Sequence, residues 1–348
     1  MNITQLVEPY SRWRWKRIFN ALHRDISKSG EVPPPSKITF ELTDRCNLNC
    51  RMCFREKKRN ELSPKEIKKV LDNIGPIKEI SLIGGEIFIR NDIFEILDLL
   101  NGISIVFHTN GTLLDEEKID KLRGYKFRRI GFSIDGMRSL NNKIRGSDSA
   151  FERTVWAIRS MNGFPTAVNT VVMKDNLDQL GGVLDLASNL NAREYRIEPE
   201  MFSTAEDVRV SEEILGTGHC IATKIKKSDA YDYPLQRFQE IKAGLKRQAA
   251  NNGIKFTVAP RVADIDEEEF FSGRIREKKL FCKHLLVPRI DPNGNVIFCH
   301  LIRKRFGNLL DTPLKEIWNS TELREIRIKL LENNLLPLCK RCCRLRSI

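Results

Sequence analysis

The chain has 348 residues, 41% of them hydrophobic and 30% charged, a globular composition long enough for one large domain and a smaller one. No apolar run approaches the ~20 residues needed to span a bilayer, and the N-terminus lacks a signal peptide's apolar core. The nine cysteines are therefore expected to be metal ligands in a reducing cytoplasm, not disulfides. The net charge of +13 comes from basic residues scattered along the chain. Without an arginine-rich arm or a nucleic-acid module, it reads as solvated helix faces, compatible with an anionic substrate and with no specific nucleic-acid partner.

Residues 1–34 form a leader. SRWRWKRIFNALHRDIS predicts a basic helix carrying Trp13, Trp15, Phe19 and Leu22, and the prolines of VPPPSK end it. Such a helix packs its apolar side on the adjoining domain or lies on a membrane surface. From residue 37, β-branched runs alternate with helical patterns: KITFELT, EISLIGG, SIVFHTN, RIGFSID, AVNTVVM and YRIEPEM. Ser63, Pro64 and Glu66 mark a capped helix start, with Gly75 past its end. Six βα units fit a partial barrel or a doubly wound open sheet. Either form puts the active site at the carboxyl ends of the strands.

After the first strand comes CNLNCRMC, with Cys46, Cys50 and Cys53. Three thiolates at this spacing hold three corners of an iron–sulfur cube and leave the fourth iron open for chemistry. The competing reading is a zinc loop, but no fourth Cys or His follows closely; the next histidine is His108. Residues 226–279 read as a charged helical bridge. Residues 280–348 hold five cysteines: Cys282, then strand, turn and strand through Asn293-Gly294 to Cys299, then Cys339 and Cys342 as CxxC, with Cys343 adjoining. Four cysteines suffice for one cluster with every iron protein-bound, suited to moving an electron; a structural zinc has compatible spacing. Cys220, in GTGHC, stands alone as a buried thiol or a hydrogen-atom donor.

The triad resembles the signature of radical S-adenosylmethionine (SAM) enzymes, and FGNLLDTPLKEIWNSTELREI resembles the linking segment of SPASM and twitch modules. The resemblance implies an α/β fold: a partial (β/α)6 TIM-like barrel over 35–225, and a small C-terminal α+β twitch module of a β-hairpin plus helices over 280–348. It implies a SAM-binding [4Fe–4S] cluster, a second, auxiliary [4Fe–4S] cluster, SAM, and an electron donor such as flavodoxin or ferredoxin. Gly84, Gly85 and Glu86 match the GGE motif that receives the SAM methionine ammonium. Ser133 and Asp135 suit the ribose, Arg145 the SAM carboxylate, and Asn169 a further SAM contact. His108 in HTNGT, together with Glu198 and Glu200, are cavity candidates. The expected activity is hydrogen-atom abstraction from a substrate C–H bond, with two-electron oxidation of a small polar molecule. The alternatives are modification of a ribosomally made peptide, epimerisation with Cys220 as hydrogen donor, and a zinc-stabilised binding module.

Overall fold

Each apolar run from Lys37 onward becomes a strand of one sheet in the structure, a computed structural model that describes residues 12–55, 61–223, 234–260, 267–275 and 279–347. The strands β1 (Lys37–Thr43), β2 (Glu79–Gly84), β3 (Ser104–Thr109), β4 (Phe127–Ser133), β5 (Thr166–Val172), β6 (Glu194–Pro199) and β7 (Lys255–Val258) pair in that order, all parallel. This α/β architecture is the expected partial barrel.

The leader helix α1 (Arg12–Ser29) precedes the sheet. Trp13, Trp15 and Phe19 fall on it, but their side chains lie outside the described residues. Between the strands run α2 (Pro64–Ile74), α3 (Ile93–Asp98), α4 (Glu116–Leu122), α5 (Arg138–Arg145), α6 (Ala150–Ser160) and α7 (Leu180–Asn189). Helix α2 starts as its capping box dictates: Ser63 Oγ accepts from Glu66 N at 3.4 Å, and the Glu66 carboxylate accepts from Ser63 N at 2.8 Å. Its Ile67, Val70 and Ile74 are buried at helical spacing.

After β6 come α8 (Ala205–Leu215) and α9 (Leu235–Asn251), then β7. The segment read as a helical bridge thus contains a seventh parallel strand, with Glu194 opposite Lys255 and Ile197 opposite Val258. KFTV is too short, and too mixed in polarity, to stand out by periodicity. Helix α9 packs on α7 and buries Phe238, Leu245 and Ala249.

Beyond a short helix α10 (Glu267–Ser272) lie β8 (Leu280–Cys282), β9 (Arg289–Ile290), β10 (Asn295–Ile297) and β11 (Arg305–Asn308). Helices α11 (Leu314–Trp318) and α12 (Thr321–Glu332) and strand β12 (Leu345–Ser347) complete the chain. The β9–β10 turn has Gly294 at φ +83°, and Asp291 Oδ1 accepts from Asn293 N at 2.9 Å and Asn295 N at 3.0 Å. Strand β9 pairs parallel to β1, with Thr39 opposite Arg289, so the hairpin extends the barrel sheet to ten strands. Strand β12 pairs with β8 and sets Leu345 opposite Cys282.

The leader docks on α12. Trp318 Nε1 donates to the Pro33 carbonyl at 3.0 Å. Arg327 is fully buried, donates to the carbonyls of Gly30 (3.0 Å) and Trp318 (2.7 Å), and lies 4.3 Å from the Trp318 ring centroid. Ile26 and Val32 are buried in the same core, so the described part of the helix uses its apolar side for packing. No described helix is long and apolar enough to cross a membrane.

Strand alternation separates two faces. On β4, β5 and β6, Ile130, Phe132, Val168, Val172, Tyr195 and Ile197 are fully buried in the hydrophobic core. Arg129, Gly131, Ser133, Ala167, Asn169, Val171, Glu194, Arg196 and Glu198 take the opposite, inner face, and it is polar.

Candidate functional site

Cys46, Cys50 and Cys53 sit on the loop after β1, each half-buried. Leu48 N points at Cys46 Sγ (3.4 Å), and Arg145 Nη1 lies 3.7 Å from Cys50 Sγ. The loop is braced from two sides. Gly85 N donates to Thr43 O and Glu86 N to Arg45 O, each at 2.9 Å. A Cβ on Gly85 would sit 2.1 Å from the Arg45 carbonyl oxygen and 2.9 Å from Cys46 Cβ. On the other side Arg51 N donates to Ile144 O at 2.9 Å, and Gly146, at φ +65°, closes α5 against Asn49. The glycines of GGE thus admit the cysteine loop's backbone, a close approach the motif alone left open.

Glu86 is wholly buried, and its carboxylate accepts from Thr109 Oγ1 (2.7 Å), Asn110 N (2.6 Å) and Phe88 N (3.2 Å). Burial pushes its carboxyl above the ordinary value, against the pull of these donors. It therefore ties the GGE turn to the HTNGT turn. Asp135, at the end of β4, accepts from Val171 N at 2.9 Å, and its other oxygen meets Arg145 Nη2 at 2.5 Å. Asn141 and Asn176 hold its backbone, each at 2.8 Å. Burial raises the Asp135 carboxyl and Arg145 draws it back. Arg145 Nε is buried and has no hydrogen-bond partner among the described residues, which leaves a donor between Asp135 and Cys50 for an anionic ligand group. Ser133 is half-buried on the inner face just before Asp135.

His108 and Asn169 come together over Gly131: Asn169 Nδ2 is 3.4 Å from His108 Nδ1, and a Cβ on Gly131 would strike both. Burial, then the charges of Arg129, Arg344, Arg196 and Lys283, hold His108 well below the ordinary histidine value, so it is neutral at physiological pH. Glu198 shares the inner face, within electrostatic reach of Arg196, Arg344 and Asp135. Glu200 lies past the strand, its N–H on Val172 O at 3.0 Å. Sequence reasoning missed Arg129 and Arg196. Counting back in twos from Ser133 and Glu198 would have found them.

The four C-terminal cysteines gather. Cys282, Cys299, Cys339 and Cys342 line one pocket with His284, His300 and apolar side chains including Phe298 and Leu338. Backbone N–H groups point at the sulfurs: Leu301 (3.4 Å) and Ile302 (3.2 Å) at Cys299, Arg344 (3.4 Å) at Cys342. Burial pushes the Cys282 thiol up to about 12 and raises Cys339 and Cys299. Four thiols in an apolar pocket with N–H···S contacts fit a cationic metal cluster, which would supply the charge that thiolates need there. Cys343 does not line this pocket but is hydrogen-bonded to Cys342, which does; Arg344 and Glu198 are its further electrostatic neighbours. Cys220 bridges to Ile302, and its neighbours are Glu212 and Cys299. The structure therefore places Cys220 beside the C-terminal pocket and does not bring it to His108 or Glu198. Burial raises its thiol to about 12.

Residues 40–187 match the sequence profile of the radical SAM superfamily, and residues 287–343 that of the SPASM iron–sulfur cluster-binding domain. The AdoMet-dependent heme synthase of Methanosarcina barkeri is 30% identical over 315 residues, covering 84% of this chain and 85% of that protein. The chain belongs to the radical SAM superfamily. Among its other relatives, the mycofactocin maturase MftC of Mycolicibacterium smegmatis is 27% identical over 321 residues, 84% of this chain and 72% of that protein. In fold, this radical SAM chain is similar to Streptococcus suis SuiB bound to S-adenosylmethionine (TM-score 0.67, 17% identity, 97% of this chain and 80% of that one). Membership brings a SAM-binding [4Fe–4S] cluster, SAM and auxiliary cluster chemistry. Cys46, Cys50 and Cys53 would hold the first cluster, and Cys282, Cys299, Cys339 and Cys342 an auxiliary one.

Proposed function

We propose that this radical SAM enzyme is an oxidoreductase that removes two electrons from a small polar substrate. SAM held at the three-cysteine cluster would, on receiving one electron from an external donor such as flavodoxin or ferredoxin, split into methionine and a 5′-deoxyadenosyl radical able to take a hydrogen atom from a substrate C–H bond. Glu198 would accept a proton, and an auxiliary cluster on Cys282, Cys299, Cys339 and Cys342 would supply the acceptor for the remaining electron, so that the substrate loses two electrons and two hydrogens. Gly84, Gly85 and Glu86 shape the turn that receives SAM. Ser133, Asp135, Arg145 and Asn169 line its bed, and neutral His108 is a hydrogen-bonding substrate contact.

One observation carries this reading: the four-cysteine pocket belongs to a module whose β9 is hydrogen-bonded to β1, the strand that delivers the three-cysteine loop. A site with an open iron and a closed electron sink would then be joined through the barrel sheet, the sink's Cys282 standing on the separate β8–β12 pair of the same module. Relatives named as heme synthases at more than 80% coverage of this chain support a non-peptide substrate. The maturase MftC and the PqqA peptide cyclase of Gluconobacter oxydans favour the second reading, a peptide substrate.

Anaerobically purified protein should carry about eight irons per chain with matching sulfide. With SAM and dithionite it should release 5′-deoxyadenosine. Zinc without iron, or iron for a single cluster only, would remove the electron sink and overturn the proposal.

A further inference from the structure

The inner face of the barrel carries positive charge that its own carboxylates do not match. Arg129 and Arg196 project there from β4 and β6, on either side of the strand bearing Asn169. The register sets Ser133, Asn169 and Arg196 side by side across β4, β5 and β6. Arg129 enters two layers deeper, below the Gly131, Ala167 and Glu194 layer, with Nη1 3.7 Å from Glu194 Oε2, while Glu194 Oε1 is taken by Thr257 Oγ1 at 2.5 Å. From the C-terminal module Arg344 and Lys283 approach the same region and act electrostatically on His108 together with both strand arginines. Three arginines, Arg129, Arg196 and Arg344, thus face two carboxylates, Glu194 and Glu198, beside Lys283, whose ammonium burial lowers to about 7.

Among the described residues no carboxylate lies within ion-pairing distance of Arg196. Arg129 Nε is buried without a hydrogen-bond partner, as is Asn169 Oδ1. These groups nonetheless border open space: Arg129 keeps 27% of its side-chain surface accessible, and His108, Asn169 and Arg196 are half-buried although they face the barrel interior. Buried cations without counter-charge are costly, and an anionic ligand that reaches them offsets that cost. Guanidinium forks suit carboxylates in particular. Arg344 and Lys283 adjoin Cys342 and Cys282, so part of their charge serves the auxiliary cluster; Arg129 and Arg196 have no such duty.

We propose that Arg129 and Arg196 form the carboxylate anchor of the substrate chamber, and that the substrate carries two or more carboxylates and binds with them directed into the barrel. This rests on the oxidoreductase reading and names the substrate class of the same site. The layer order follows: Arg196 lies level with Ser133 and Arg129 two layers deeper, so one carboxylate is held beside the SAM bed and a second reaches below it toward the barrel floor.

The test uses iron-loaded holoenzyme and coproporphyrin III, a fluorescent tetracarboxylate, beside its uncharged tetramethyl ester. The acid should bind at least ~tenfold more tightly than the ester, as paired guanidinium–carboxylate contacts predict. Arg129→Gln combined with Arg196→Gln should erase that preference, and Arg196→Lys should restore part of it. Iron content and thermal midpoint of each variant report that the fold and clusters are intact. Equal affinity for acid and ester, an unchanged preference in the double variant, or no binding of the acid would overturn the proposal. Failure of the oxidoreductase reading shows elsewhere, in the iron count and 5′-deoxyadenosine release of the wild-type enzyme, neither of which depends on the arginines' ligand.

Discussion

A missing Cβ controls the radical-generating end of the molecule. In Gly85→Ala the added methyl would sit 2.1 Å from the Arg45 carbonyl oxygen, which is backbone and has no flexible end to yield. The loop carrying Cys46 must move, so iron should fall from about eight to about four per chain, with the auxiliary cluster's spectrum retained. A fully loaded Gly85→Ala protein would show that the contact is not needed. The residue types at the two clusters were legible in the sequence because ligand chemistry fixes both identity and spacing. The partners of Glu86 were not. A buried carboxylate is defined by the donors around it, and Thr109, 23 positions away, arrives only when β2 and β3 pair. Arg129 and Arg196 stayed hidden for a related reason: an arginine inside an otherwise ordinary strand declares its face only once its neighbours are known.

Elements meet at Glu41. This β1 carboxylate is fully buried and is approached by Arg289 Nε of β9 at 2.5 Å, by Arg303 at 3.1 Å, and by Arg55 of the cysteine loop at 3.1 Å. Burial alone would raise its carboxyl; the charges of Arg289, Arg55 and Arg303 outweigh it and hold the value at about 2. Arg289 is itself pushed down by burial, yet an arginine remains protonated throughout the accessible range, so the carboxylate sets the pH response. Its folded value lies below the ordinary 4.5, so its stabilisation is complete above about pH 4.5 and is lost as the pH falls toward 2. Glu41→Gln should lower stability by ~3–5 kcal/mol at neutral pH, the cost of stranding buried charges. Urea midpoints should converge between wild type and variant as the pH drops through that window; parallel curves would exclude the ionic clamp. The hairpin was legible through Asn293-Gly294, whereas its docking on β1 was not, because a two-residue strand carries no periodic signal. Strand β7 shows the same limit.

Across the described residues, α1 with the segment after it, the barrel and the C-terminal module form one continuous body. The module is fastened to the barrel through β9 and Glu41 and to the leader through Arg327 and Trp318. These anchors do not run through the four-cysteine pocket, so the proposed electron sink can be removed while the module stays docked. In Cys339→Ala combined with Cys342→Ala the auxiliary site keeps only Cys282 and Cys299, too few to hold a cubane. Iron should fall to about four per chain, and substrate radicals should return to substrate for want of an acceptor. The ratio of oxidised product to 5′-deoxyadenosine should then fall at least ~tenfold, more than ~1.4 kcal/mol of lost commitment at that step. An unchanged ratio would mean that the electron leaves by another route and that the C-terminal cluster is structural. A redox-neutral epimerase gives a different pattern: product without consumption of an oxidant, and a requirement for a hydrogen-donating thiol on the inner face. Cys220 stands beside Cys299 and bridges to Ile302, and Cys343 is hydrogen-bonded to Cys342 with Arg344 and Glu198 as further neighbours. On that alternative Cys220→Ala or Cys343→Ala would stop turnover while 5′-deoxyadenosine release continues, and full activity in both variants would exclude it.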